Sequence, residues 1–147
     1  MKTSERTDAF ARYLGVTVEN LDNGEATASL TVNHDHLNPH GTAHGALLYS
    51  VIGTALAAAA NNATHSGVVS AVHIDYLSPA REGDHLVARA SIAERLARED
   101  LFAIRLTRAG DDTVIARASG RATRRSKAAD GASPSGLNDG VDRKDGA

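Results

Sequence analysis

The stretch NPHGTAHG, Asn38 to Gly45, stands directly in front of fifteen uncharged, mostly apolar residues, Ala46 to Ala60. If the apolar residues form a helix, its first N–H groups lack intrahelical partners and carry partial positive charge. Groups of that kind stabilise an oxygen that turns negative when its carbonyl is attacked. Gly45 has no Cβ and would let the carbonyl approach the backbone closely. The competing interpretation is a turn whose polar side chains, Asn38 and His44, satisfy loop backbone. The residues alone leave both open.

Other chemistries fit less well. His34, His36, His40 and His44 lie within eleven residues, a density that invites a metal, but they span a loop interrupted by Pro39 and Gly41, and no metal is expected. The chain has no Cys, which removes disulfides, thiolate nucleophiles and thiolate metal ligands and fits a reducing cytoplasm. Gly41, Gly45 and Gly53 lack the spacing of a phosphate loop or dinucleotide fingerprint, and no G-x-S-x-G elbow occurs. A net charge of −2, with no basic run interleaved with aromatics, disfavours nucleic acid.

These residues need a scaffold. The 147 residues suit one domain, and three Tyr, two Phe and no Trp mean a core of Ala, Val, Leu and Ile in close contact. An opening helix is expected over Thr7 to Leu14, with Phe10, Tyr13 and Leu14 on one side and Gly15 ending it. Strands are expected at Gly15 to Leu21 and Glu25 to Val32, joined by Asp22-Asn23-Gly24. A helix over about Ala43 to Asn61, apolar nearly all round, should be covered on most sides, and its Ala, Gly, Ser and Thr content suits a buried helix rather than a membrane span. Strands at Val68 to Leu77, Asp84 to Leu96, Asp100 to Arg108 and Thr113 to Thr123 follow on short links that suggest antiparallel neighbours. The N-terminus lacks the apolar core of a signal peptide. From Arg124 to Ala147 the composition predicts a disordered tail, leaving residues 1–123 as the domain.

This order gives an α+β class with an antiparallel sheet around one long central helix. With it, NPHGTAHGALLYSVIGTA and IDYLSPAREGD resemble the hotdog-fold acyl-CoA thioesterases of the PaaI-like, phenylacetic acid degradation group, over roughly Phe10 to Thr123. The resemblance implies a homodimer or homotetramer with sites at subunit interfaces, an acyl-CoA substrate, no cofactor, Gly45 N–H donating to the thioester carbonyl, and Asn38 and His44 positioning and polarising substrate and water. The sequence departs from the group eight residues after Gly45, where the group carries an acidic nucleophile or base and this chain has Gly53. Gly inside a helix costs about 1 kcal/mol relative to Ala, so propensity does not explain it.

Gly53 therefore either makes room for a bulky ligand or marks a lost carboxylate, and a non-catalytic acyl-CoA or aryl-ligand binder is the alternative to an enzyme. Thr54 sits about 100° away around the helix and replaces a carboxylate poorly, though both residues are candidates to line the substrate site. His44, Asp35 and Asp75 remain as groups that could activate water. Arg81, with Arg89, Arg124 and Arg125 behind it, is a candidate for the phosphates of coenzyme A. The hydratases of this fold pair an acid with a nearby His, which His34-Asp35-His36 matches only faintly.

Overall fold

The computed structural model describes residues 8–62 and 64–126. Along the chain run α1 (Ala9–Leu14), β1 (Thr17–Asp22), β2 (Glu25–Thr31), a 3-10 turn (His34–His36), α2 (Gly45–Ala59), β3 (His65–Tyr76), β4 (His85–Arg95), β5 (Glu99–Arg108) and β6 (Val114–Ser126). The six strands make one antiparallel sheet in the order β1-β2-β4-β5-β6-β3. The sheet curls around α2, which touches every strand. This is the α+β hotdog arrangement expected from the sequence.

Local chemistry accounts for the pieces. Asn23 and Gly24, with φ of 54° and 79°, form the tight left-handed turn between β1 and β2 that their short or absent side chains permit. In β2 the burial alternates, and Ala26, Ala28 and Leu30 point inward. Leu86, Ala88 and Ala90 of β4 and Phe102, Ile104 and Leu106 of β5 do the same. Small inner side chains let α2 lie close, burying Leu47, Leu48, Val51, Ile52, Ala55, Leu56 and Ala59. Gly120 of β6 is part of that fit, because a Cβ there would stand 2.4 Å from Leu56 Cδ2.

Three expectations need correction. The opening helix begins at Ala9, after the N-cap Asp8, rather than at Thr7, and it turns Ala11 and in part Leu14 to the core while Phe10 and Tyr13 are 61% and 85% exposed. The central helix is covered on its sheet side only: Ala46, Tyr49, Ser50, Gly53, Thr54 and Ala57 are exposed or half-buried. β6 runs to Ser126, so Arg124 and Arg125 belong to the sheet; the remainder of the expected tail lies outside the described residues.

The crossover from β2 through α2 carries β3 to the far edge of the sheet, beside β6. Twelve residues long, β3 has no strand on its outer side among the described residues, and Val68, Val69, Tyr76 and, just beyond it, Leu77 are between 36% and 54% exposed.

Candidate functional site

The loop before α2 is held at both ends. His36 is buried; its Nδ1 accepts from Asn33 N–H at 3.0 Å, and its Nε2 lies 3.1 Å from Leu14 O, tying the loop to the end of α1. Ala43 N–H donates to Ala80 O at 2.8 Å, tying the other end to the β3–β4 connection. Between them Asn38 organises the turn. Its Oδ1 accepts from His40 N–H at 2.9 Å and Thr42 N–H at 3.2 Å, and its Nδ2 donates to Thr42 Oγ1 at 2.8 Å. The Asn38 amide therefore builds the loop that delivers the next residues.

Those are His44 and Gly45. His44 is the N-cap of α2, with φ −61° and ψ 137°, and its Nδ1 accepts from Ala46 N–H at 2.9 Å. An accepting Nδ1 carries no proton, so the neutral ring bears it on Nε2 and presents a donor, not a base, on its exposed side. Gly45 N–H has no hydrogen-bond partner among the described residues. It opens on a groove of about 330 Å³ lined by Ala43, Gly45, Leu48, Tyr76, Leu77, Ser78 and Pro79, with no acidic side chain among them.

Tyr76 is the residue that sequence reasoning missed. Its hydroxyl donates to Gly45 O at 3.0 Å, and its ring lies 3.5 Å from where a Cβ on Gly45 would stand. A usable signal was present: in β3, Ile74 and Tyr76 share a face by alternation, and Ile74 packs against the core.

The other candidates disperse. A Cβ on Gly53 would meet nothing within 4 Å, so space within the protomer does not demand glycine there. Thr54 Oγ1 donates to Ser50 O at 2.7 Å. Asp75, on the opposite face of β3 from Tyr76, pairs with His73 at 3.2 Å, and Asp35 sits exposed in the 3-10 turn. Of the four histidines, His36 and His44 are bonded as described, His34 lies 4.0 Å from Glu82 and His40 is exposed. Among the described residues no three His, Cys, Asp or Glu gather closely enough to hold a metal ion.

Arg81 leaves its exposed guanidinium without a partner among the described residues, close in sequence to the groove residue Pro79. Arg89 pairs with Glu25 at 3.5 Å. Arg124 is not available to a ligand. It binds Asp100, which is only 2% exposed, and donates to the carbonyls of Leu96 and Ala97 at 2.6 and 2.8 Å. Arg95 at 3.4 Å and His65 at 3.9 Å complete the surroundings of Asp100, at the opposite end of α2 from His44. On the β5–β6 turn, Arg108 holds Asp111 down to about 2 through their hydrogen bonds.

Among the described residues no helix is long and apolar enough to cross a membrane. The thioesterase superfamily profile matches residues 40–115. The acyl-coenzyme A thioesterase PaaI of Escherichia coli is 35% identical over 107 residues, 73% of this chain and 76% of that one. The solved E. coli PaaI structure superposes with a TM-score of 0.76 at 32% identity, covering 81% of this chain and 86% of that one. A mutant structure of the phenylacetic acid degradation protein PaaI from Thermus thermophilus gives 0.74 at 31%, covering 80% and 100%. The chain belongs to the thioesterase superfamily, as a PaaI-like hotdog protein.

Proposed function

We propose that this protein hydrolyses acyl-CoA thioesters, at a site that begins at Gly45 and is closed by a second copy of the chain. The observation that carries the reading is Gly45, which lines the groove at the start of α2 and whose N–H has no hydrogen-bond partner among the described residues. Water attacks the carbonyl carbon, and the oxygen, as it gains charge, is met by Gly45 N–H and the helix dipole, with His44 Nε2–H as a further donor. The C–S bond then breaks: the acyl group leaves as a carboxylate, coenzyme A leaves as a thiol carrying one proton of the water, and the other proton goes to solvent. Asn38 acts through the loop it holds, and Arg81 meets a coenzyme A phosphate. The step uses no metal or organic cofactor.

The second copy pairs along β3. A long edge strand with Val68, Val69 and Tyr76 exposed invites addition of another strand, and the uncovered face of α2, with Tyr49 45% exposed, adds surface that a partner would bury. Gly53 and Thr54 lie on that face, where they would border the acyl group between subunits.

The groove contains no carboxylate, and His44 presents a donor, so no general base is supplied by its lining. General-base assistance is worth about 10²–10⁴-fold, so a site to which the second copy also brings no carboxylate turns over slowly. The same observation supports a second reading, a binder of acyl-CoA or aryl ligands without turnover. A panel of aromatic and medium-chain acyl-CoA esters, assayed for thiol release, decides between them: slow hydrolysis of at least one is expected, and no release above background on any rejects the enzyme. Gly53→Asp sharpens the result, because its side chain enters open space. A gain of about 10²-fold or more is expected; a fall would mean that another group already activates water.

A further inference from the structure

We infer that Tyr76 is a positioning residue of this site: with His44 it clamps the peptide group between Gly45 and Ala46 and so fixes the amide plane on which the carbonyl-binding turn depends. The inference rests on the catalytic reading above. The clamp is visible at both poles of one peptide. Its oxygen accepts from Tyr76 Oη at 3.0 Å, and its N–H donates to His44 Nδ1 at 2.9 Å.

A glycine at this position makes such a clamp necessary. Gly45 has the widest choice of φ and ψ of any residue, and it sits in the first turn, where intrahelical hydrogen bonds are incomplete. His44 Nδ1 fixes the peptide on one side by accepting from Ala46 N–H, while the extended ψ of 137° at His44 orients the preceding peptide, which carries Gly45 N–H. Tyr76, from the opposite side of the groove, fixes the peptide on the other. The two elements it connects, α2 and the end of β3, are 31 residues apart in sequence, so the contact also sets how far the helix start stands from the sheet. Tyr76 is 52% exposed and lines the groove, yet its one proton is directed at Gly45 O.

Tyr76→Phe removes the hydroxyl and keeps the ring that packs beside Gly45. For the full chain and the best acyl-CoA ester of the panel, kcat should fall about tenfold with KM within about twofold, the signature of a lost alignment rather than lost binding. The His44 ring nitrogens, followed by ¹⁵N NMR, should move from a pure Nε2–H tautomer toward a mixture as the Ala46 N–H loosens, while the thermal midpoint stays close to that of the parent. A variant whose kcat stays within about twofold of an active parent overturns the inference. If the parent turns over no ester, the catalytic reading fails by that result alone, and the clamp is judged by NMR: unchanged His44 tautomer and Gly45 and Ala46 amide resonances in Tyr76→Phe overturn it, whereas their movement sustains it.

Discussion

The two ends of α2 treat their polar groups in opposite ways. At the far end, Asp100 is buried and every neighbour is turned on it: Arg124, Arg95 and His65 surround the carboxylate, and Arg124 also ties down the carbonyls of Leu96, Ala97 and Glu99. At the near end, His44 and Tyr76 hold one peptide group, and the amide just before it, Gly45 N–H, is left facing a groove. A buried charge is tolerable only when its partners are complete, so the first arrangement serves structure. The first N–H groups of a helix have no intrahelical partner, and in the reading proposed above the one at Gly45 is where the carbonyl oxygen of the ligand is met.

Substitutions at each end should therefore move different quantities. The largest effect is expected from Asp100→Ala, which strands the Arg124 guanidinium among carbonyls: a loss of about 3–5 kcal/mol in unfolding free energy, measured by denaturant titration, with kcat of the folded fraction unchanged. A matching loss of kcat in the folded fraction would break the contrast, by showing that the two ends communicate. Next comes His44→Ala, expected to lower turnover about 10²-fold and stability by about 1 kcal/mol. His44→Asn restores a capping oxygen and should recover the stability while leaving turnover low, which separates the cap from the donor. The smallest effect lies at neither end. Asp111 has its pKa lowered to about 2 by Arg108, so the contact contributes above the ordinary carboxylate range and is lost as pH falls toward 2. A small drop in thermal midpoint for Asp111→Asn at pH 7 should vanish when both proteins are compared near pH 2, with thioester hydrolysis unaffected at pH 7.

Much of this scaffold is legible in the sequence because its signals are local. Asn23-Gly24 specifies its turn, and the alternation of Ala26, Ala28 and Leu30 specifies a face. Failures arose where a contact crosses many residues. Arg124, in a polar stretch that reads as the start of a tail, is held in β6 by a carboxylate 24 positions earlier. Phe10, Tyr13 and Leu14 group on one side of the opening helix by spacing, but of the three only Leu14 packs against the core. At the site, His44 and Gly45 stand out by type and place. The helix-capping bond of His44, which decides what its ring can do, depends on ψ at a single residue and leaves no pattern to read.

Gly53 has a consequence for how such a protein can change. Every glycine codon is one middle-base transition away from a codon for aspartate or glutamate, and within the protomer a Cβ on Gly53 meets nothing within 4 Å. On the reading proposed above, strong and weak hydrolytic versions of this scaffold are separated by a single mutational step, and selection for flux through a thioester could move a lineage across it in either direction.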